Sequence, residues 1–267
     1  MKETLDKIKE RLPDIDIPQG VSLKVKQVEW FNESEGDLNK YDGYDCKLCR
    51  NKGFISKLEG DSDVLYHCRC QKIRATLYRA KRSGLGDVLK DFTFDKYEAT
   101  ETWQKEIKEK ALQFCKDDDA KWFYIGGQVG CGKTHICTAI ASHYIKAGKE
   151  LRYMVWADDC KFLKANVNDP VYQEKMDEFK NVDVLYIDDF LKVKQGENPT
   201  TADINIAFEI INHRLLSHDK ITIISSEKQL SEIIDYDEAT MSRIYQKAGA
   251  YKFSIAKDRS KNYRLKF

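Results

Sequence analysis

Nothing in this chain of 267 residues reads as a membrane span or a secretion signal. No run approaches the roughly 20 consecutive apolar residues a span requires, and no apolar stretch opens the chain. The expectation is a soluble, cytoplasmic protein with no membrane partner. Net charge is lacking as well: 45 Lys and Arg stand against 44 Asp and Glu, so overall charge points to no partner. No internal repeat or low-complexity tract is visible, which excludes stacked-repeat and compositionally biased architectures. Eight cysteines in an intracellular chain are not a disulfide framework, so their placement needs another reason. A chain of this length can bury a full α/β core and still carry a small extra module.

What is present is concentrated in one segment. Gly127-Gln128-Val129-Gly130-Cys131-Gly132-Lys133-Thr134 fits the phosphate-binding pattern G-x-x-x-x-G-K-[ST]. Trp122-Phe123-Tyr124-Ile125 before it reads as a buried strand. After it, Ile136, Ile140, Tyr144 and Ala147 recur at helical spacing, with Gly148 as the stop. Glycines let successive backbone N–H groups turn inward on a phosphate, and the helix N-terminus adds its positive end. Lys133 is expected to reach the β- and γ-phosphates and Thr134 to ligate Mg²⁺. A glycine-rich turn that binds nothing is the competing reading, and the strand and helix flanks argue against it. The segment is expected to hold a nucleoside triphosphate.

A second half of such a site follows. Val182-Asp183-Val184-Leu185-Tyr186-Ile187-Asp188-Asp189 is a mostly apolar run ending in two acids, a central parallel strand delivering carboxylates at its carboxyl end. Asp188 is the expected organiser of Mg²⁺ and Asp189 the residue that polarises the attacking water. For Asp189 a helix N-cap competes. Ile221-Thr222-Ile223-Ile224 ends in Ser225-Ser226-Glu227, which places polar groups, Ser226 among them, beside the γ-phosphate. Met241-Ser242-Arg243-Ile244 sets one arginine after a helix at the domain edge, where it can act as a finger on a neighbouring subunit's nucleotide. A surface or ion-paired arginine is the alternative.

Cys46-Lys47-Leu48-Cys49 and Cys68-Arg69-Cys70 are two close pairs of the kind that converge on one tetrahedral metal. Cys46, Cys49, Cys68 and Cys70 are the expected Zn²⁺ ligands, with His67 an alternative to Cys68 or Cys70. Gly53 suits a tight turn after the first pair. Cys115, Cys131, Cys137 and Cys160 are scattered and read as packing residues. Between Val64 and Gly86 no acid occurs, while Arg69, Lys72, Arg74, Arg79, Lys81 and Arg82 are basic. The stretch from Lys247 to Phe267 is also basic, with Asp258 its single acid. Either could follow a phosphate backbone, or simply form a solvated face.

The organisation expected is a polar N-terminal segment (1–45), a zinc module with a basic linker helix (46–86), and an ATPase domain (87–267). The first opens with a helix from Met1 to Leu12 whose Leu5, Ile8 and Leu12 share a face for packing or a partner. Ser83-Gly84-Leu85-Gly86 is the expected hinge into the ATPase domain. Strands are expected at Lys121–Gly126, Leu151–Trp156, Asp183–Asp188, Ile221–Ser226 and Tyr251–Ile255. Helices are expected at Thr102–Cys115, Lys133–Ala147, Ala157–Ala165 and Ala202–Ser217. That alternation is a doubly wound, mostly parallel α/β sheet with nucleotide at the strand ends.

From residue 44 onward the chain resembles the bacterial and phage replicative-helicase loaders of the DnaC/DnaI type, in the AAA+ superfamily. The likeness rests on the cysteine pairs with their basic helix and on Ser83-Gly84-Leu85 leading to Phe92-Thr93-Phe94-Asp95-Lys96-Tyr97. It rests further on Gly130-Cys131-Gly132-Lys133-Thr134-His135, Leu185-Tyr186-Ile187-Asp188-Asp189 and Ser242-Arg243-Ile244. The loop with His135 is shared with IstB-type transposition helpers. The resemblance implies ATP as the nucleotide, held by the loop from Gly127 to Thr134 with His135, and slow hydrolysis stimulated by DNA or a partner. It implies self-association through the ATPase domain, an N-terminal part that holds a hexameric replicative DNA helicase, and an ATPase part that binds single-stranded DNA. Lys133, Thr134, Asp188, Asp189 and Arg243 carry over in the roles given above, and Arg214 resembles a family arginine. The family commonly ends the polar strand in Thr-Ser-Asn; Glu227 stands here where Asn is usual, which bears on γ-phosphate sensing. Phe267 follows Arg243 too soon for a full helical lid, so a lidless core is expected. A transposition-helper ATPase and a zinc-dependent nucleic-acid regulator with a binding-only ATP site are the other functions such a sequence supports.

Overall fold

The computed structural model describes residues 23–265 apart from positions 83, 87 and 195. The helix expected over Met1–Leu12, and Ser83 of the expected hinge, lie outside these residues. The chain divides into two compact units, Met1–Gln71 and Lys72–Phe267.

In the first unit, α1 (Leu23–Glu33) and a single turn, α2 (Asn39–Asp42), precede an antiparallel hairpin of β1 (Phe54–Glu59) and β2 (Ser62–His67). The sequence predicts no helix at α1, because α1 fully buries no residue and so shows no apolar stripe. It is held instead by Asn32, whose side-chain amide donates to Ser56 O and accepts from Ser56 N, both at 2.9 Å. That amide satisfies the outward-facing backbone of β1 as a further strand would. α3 (Cys70–Arg82) starts at the last clustered cysteine.

The second unit takes in α3 from Lys72 onward, then α4 (Thr102–Phe114), β3 (Trp122–Gly127), α5 (Lys133–Lys146), β4 (Leu151–Val155), α6 (Trp156–Ala165) and α7 (Pro170–Asn181). It continues with β5 (Val184–Asp188), α8 (Thr201–Leu215), β6 (Ile221–Ser226), α9 (Leu230–Ile234), α10 (Glu238–Ala248) and β7 (Lys252–Ile255). The strands start within a residue of the positions expected from sequence. They form one parallel sheet in the order β4-β5-β6-β3-β7. β3, β5 and β6 are buried along their whole length, whereas the edge strands β4 and β7 are only partly covered. Helices on both faces explain why the central strands are written as continuous apolar runs. β6 and β3 are neighbours whose connections leave in opposite directions, and this reversal opens a crevice at their carboxyl ends.

Helices α7, α9 and α10 go beyond the sequence expectation. Asp169 caps α7, accepting from Val171 N at 2.9 Å with Pro170 in the first turn. Asp237 caps α10 by accepting from Thr240 N. Arg243 therefore lies inside α10 and not after a helix, because Asp237 begins a new helix just ahead of it. Among the described residues beyond α10 there are only short 3-10 turns and β7, and no helical lid. No helix of the described residues is long and apolar enough to cross a membrane.

Candidate nucleotide and metal sites

β3 delivers the glycine loop and α5 receives it. Gly127, Gly130 and Gly132 have φ of 112°, 72° and 93°, a region open to glycine. A Cβ on Gly130 would also stand 2.0 Å from Asn262 Oδ1, so a side chain there would require Asn262 to move. Lys133 opens α5 and is buried; its Nζ donates to Gly127 O at 2.9 Å and Gln128 O at 2.7 Å. Thr134 Oγ1 donates to Asp188 Oδ1 at 3.4 Å, joining the loop to the end of β5. Asp188 also accepts from Tyr153 OH at 2.7 Å, Tyr186 OH at 3.0 Å and Ser225 Oγ. All four partners are hydroxyl donors, the arrangement an ionised carboxylate suits. Burial, then the Asp188 charge, pushes the Tyr153 and Tyr186 phenols well up, so both remain donors.

A cavity of about 420 Å³ opens over this loop, walled by Val129 to His135 together with Asp189, Lys192 and Glu227. Gly127 and Gln128 line a neighbouring cavity instead, beside Lys257 and Arg259. Asp189 has φ 55° and pairs with Lys192 Nζ at 2.7 Å, which also meets Glu227 Oε1 at 2.8 Å. Ser226 does not reach the cavity. Successive strand residues point to opposite faces, and Ser226 Oγ donates to Phe190 O at 2.8 Å while Ser225 takes the Asp188 side. His135 lies on the wall, stacked on Phe92 with ring centroids 4.8 Å apart. Its Nε2 is 2.8 Å from Thr93 O, and since a carbonyl only accepts, Nε2 carries the hydrogen. Burial lowers the pKa of this ring and favours its neutral form. Cys131 Sγ donates to Gln128 O at 2.8 Å, and burial raises its thiol pKa, consistent with a packing role.

Several residues of this site carry no local sequence signal. Tyr153 comes from β4, and Lys192 from the turn after β5. The segment after β7 folds back on the loop: Tyr263 N donates to Gly130 O at 2.9 Å, Tyr263 OH meets Gln104, and Arg264 lines the cavity. Part of the basic C-terminal stretch is thus wall of this site. On the other basic stretch, Arg79 pairs with Glu150 at 3.3 Å.

Neither arginine singled out by sequence enters the cavity. Arg243 is exposed and donates to Asn212 Oδ1. Arg214 is completely buried at the opposite, amino-terminal end of β6. Its guanidinium donates to Phe179 O, Lys180 O and Val182 O at 3.0, 3.2 and 2.9 Å, to Ile221 O at 2.7 Å and to Thr222 Oγ1 at 3.0 Å. It ties the end of α7 to the start of β6. Burial brings its pKa down to about 10, so it stays cationic at neutral pH.

In the first unit, the sulfurs of Cys46, Cys49, Cys68 and Cys70 all lie within 4.8 Å of one another and are buried. Cys46 and Cys68 are 3.8 Å apart, Cys49 and Cys70 3.5 Å. A tetrahedral thiolate site with metal–sulfur bonds near 2.3 Å has edges of about 3.8 Å, so the donor set fits one. The knuckle is shaped by Arg50, Asn51 and Gly53 at φ 48°, 67° and 81°. Asn51 Oδ1 accepts from Cys46 N at 2.8 Å, and Gly53 N donates to Cys49 Sγ at 3.2 Å. Burial pushes the Cys49 thiol up, but the Gly53 amide and the neighbouring thiols bring it down to about 7. His67 is exposed and engages Gln71 at 2.7 Å, outside the cluster.

Comparison with known proteins places this geometry. The family model described as IstB-like ATP binding protein matches residues 64–243. The uncharacterized protein YqaM of Bacillus subtilis is 31% identical over 209 residues, covering 74% of this chain and 66% of YqaM. This chain thus spans just under two thirds of that relative. The phage-like element PBSX protein XkdC of the same organism is 27% identical over 230 residues, covering 82% of this chain and 84% of XkdC. Among solved structures, DnaI superposes with a TM-score of 0.52 at 19% identity, over 64% of this chain and 92% of DnaI. The DnaC helicase loader superposes with a TM-score of 0.50 at 18% identity, over 62% of this chain and 96% of that one. At such identities these two speak for the fold alone. Family match, sheet order and phosphate loop agree: the chain belongs to the IstB-like ATP-binding protein family.

Proposed function

We propose that this protein is an ATP-driven loader that binds a hexameric replicative DNA helicase and helps place it on single-stranded DNA. The observation that carries the reading is the convergence of Lys133, Thr134 and Asp188 across β3 and β5, beneath a cavity walled by the loop. On binding ATP, Lys133 exchanges its two carbonyl partners for phosphate oxygens, and the loop N–H groups take the remainder. Thr134 and Asp188 would hold Mg²⁺, which supplies charge neutralisation on the phosphates. Asp189 takes a proton from water as the water oxygen bonds to the γ-phosphorus. The bond from that phosphorus to the bridging oxygen breaks, its electron pair leaves on ADP, and phosphate is released. Arg243, kept out of its own cavity, suits a role on the nucleotide of an adjacent subunit.

Cys46, Cys49, Cys68 and Cys70 would hold Zn²⁺, which supplies a structural cross-link. Residues 1–45, 46–86 and 87–267 are taken as the helicase-holding segment, the zinc module with its linker, and the ATPase domain. The transposition-helper reading shares residues 64–243, but Cys46 and Cys49 precede that span, and this favours the loader. ATP turnover with and without single-stranded DNA, followed by capture with purified replicative helicase, tests the proposal. DNA-stimulated turnover and ATP-dependent helicase capture are expected. Turnover indifferent to DNA, with no helicase captured, refutes it.

A further inference from the structure

Two acids, Asp189 and Glu227, face a cavity that on the foregoing reading receives a triphosphate. A carboxylate beside the terminal phosphate repels it, and two repel it more. Lys192 stands between them, its Nζ 2.7 Å from Asp189 Oδ2 and 2.8 Å from Glu227 Oε1, and it lines the same cavity as Lys133 and Thr134. The lysine is not on a loose loop. Lys192 N donates to Asp189 O at 2.9 Å, Phe190 N to Ser225 O at 2.8 Å, and Asp189 N to Ser225 Oγ at 3.2 Å. Asp189 and Leu191 both take φ 55°, which is costly for a fully buried leucine and is maintained only where surrounding structure imposes it. The turn is therefore fastened to the end of β6 and presents one cation to two acids.

We propose that Lys192 is the residue that distinguishes ATP from ADP: it contacts the γ-phosphate when ATP is bound, is positioned there by Glu227, and in exchange releases Asp189. With ADP, Lys192 keeps both acids and Asp189 stays ion-paired. ATP would then free the very carboxylate that must accept the water proton, so occupancy and readiness for hydrolysis are one event. Lys133 does not substitute, because it serves the β-phosphate as well and so responds to both nucleotides. The inference rests on the ATP-binding reading above.

The test is the affinity of the full chain, with Mg²⁺, for a non-hydrolysable ATP analogue and for ADP. Lys192 is 39% exposed, so solvent screens its charge and the effect is set at about tenfold rather than the far larger unscreened value. Lys192→Met should weaken analogue binding about tenfold while leaving ADP binding unchanged, and Lys192→Arg should restore much of the preference. Glu227→Gln keeps an amide oxygen that can still accept from Lys192 and hold it in place, but removes a negative charge beside the phosphate, so it should shift the preference the opposite way, toward the analogue. Equal effects of Lys192→Met on both nucleotides, or shifts of the same sign for Lys192→Met and Glu227→Gln, overturn the inference and leave the ATP reading standing. Wild type that binds neither nucleotide overturns both.

Discussion

Replacing Arg214 by methionine separates a structural arginine from a nucleotide-site arginine. The side chain is fully buried and gives five hydrogen bonds, four to carbonyls of α7 and the strands and one to Thr222. A bond to a charged group contributes about 1.5–3 kcal/mol when removed alone, and such losses are not additive. Part is recovered, since the cation no longer has to be desolvated without a bonded carboxylate. A net cost of about 3–5 kcal/mol follows, a large share of the roughly 5–15 kcal/mol that holds a domain folded. At some 2–4 °C per kcal/mol for a unit of this size, the melting temperature should fall by roughly 6–20 °C. Circular dichroism melts give that shift, and a nucleotide titration well below both midpoints gives affinity. Lower stability with normal affinity in the folded protein is expected. An unchanged melt with lost nucleotide binding would refute the assignment and return Arg214 to the functional site.

Lys133→Ala should abolish or greatly weaken ATP binding, whereas Asp189→Asn should bind ATP and hydrolyse it slowly; equal loss of binding in both, by equilibrium titration, contradicts the division of roles. Purified protein should carry about one zinc per chain by metal analysis. Cys46→Ser with Cys49→Ser should lose that metal and disorder the knuckle while ATP binding persists. Arg243→Ala should bind ATP as a monomer yet lose assembly-dependent turnover, where such fingers contribute on the order of 10³-fold. Mixed with Lys133→Ala it should regain some turnover, and a mixture as inactive as either variant alone leaves Arg243 a surface residue.

The central strands and the phosphate loop were legible because their chemistry is local. β3, β5 and β6 are buried on both faces and so read as mostly apolar runs, and Gly130 takes a positive φ that side chains rarely adopt. The carboxylate Asp188 followed from its place at a strand end. α7 was obscured because it buries only Met176, Phe179 and Lys180, too few to show a face, although Asp169-Pro170 marked its start. The choice of Ser226 over Ser225 turned on which face of β6 is which, and a strand buried on both sides gives no alternation from which to decide. Lys192, Tyr153 and Tyr263 were invisible for a different reason. Each meets the site through the fold, and nothing in its own neighbourhood announces that meeting.

The seat of Gly130 against Asn262, with Tyr263 bonded to the loop, has a consequence for the order in which the protein matures. During synthesis the phosphate loop at residues 127–134 leaves the ribosome well before the segment at residues 262–264 that braces it. The nascent chain can pair β3 with neither β6 nor β7 until those strands exist, and the loop has no brace until residues 262–264 emerge. The loop is thus braced in this way only in a chain translated through this segment, and a product terminated before it would carry the motif without the brace.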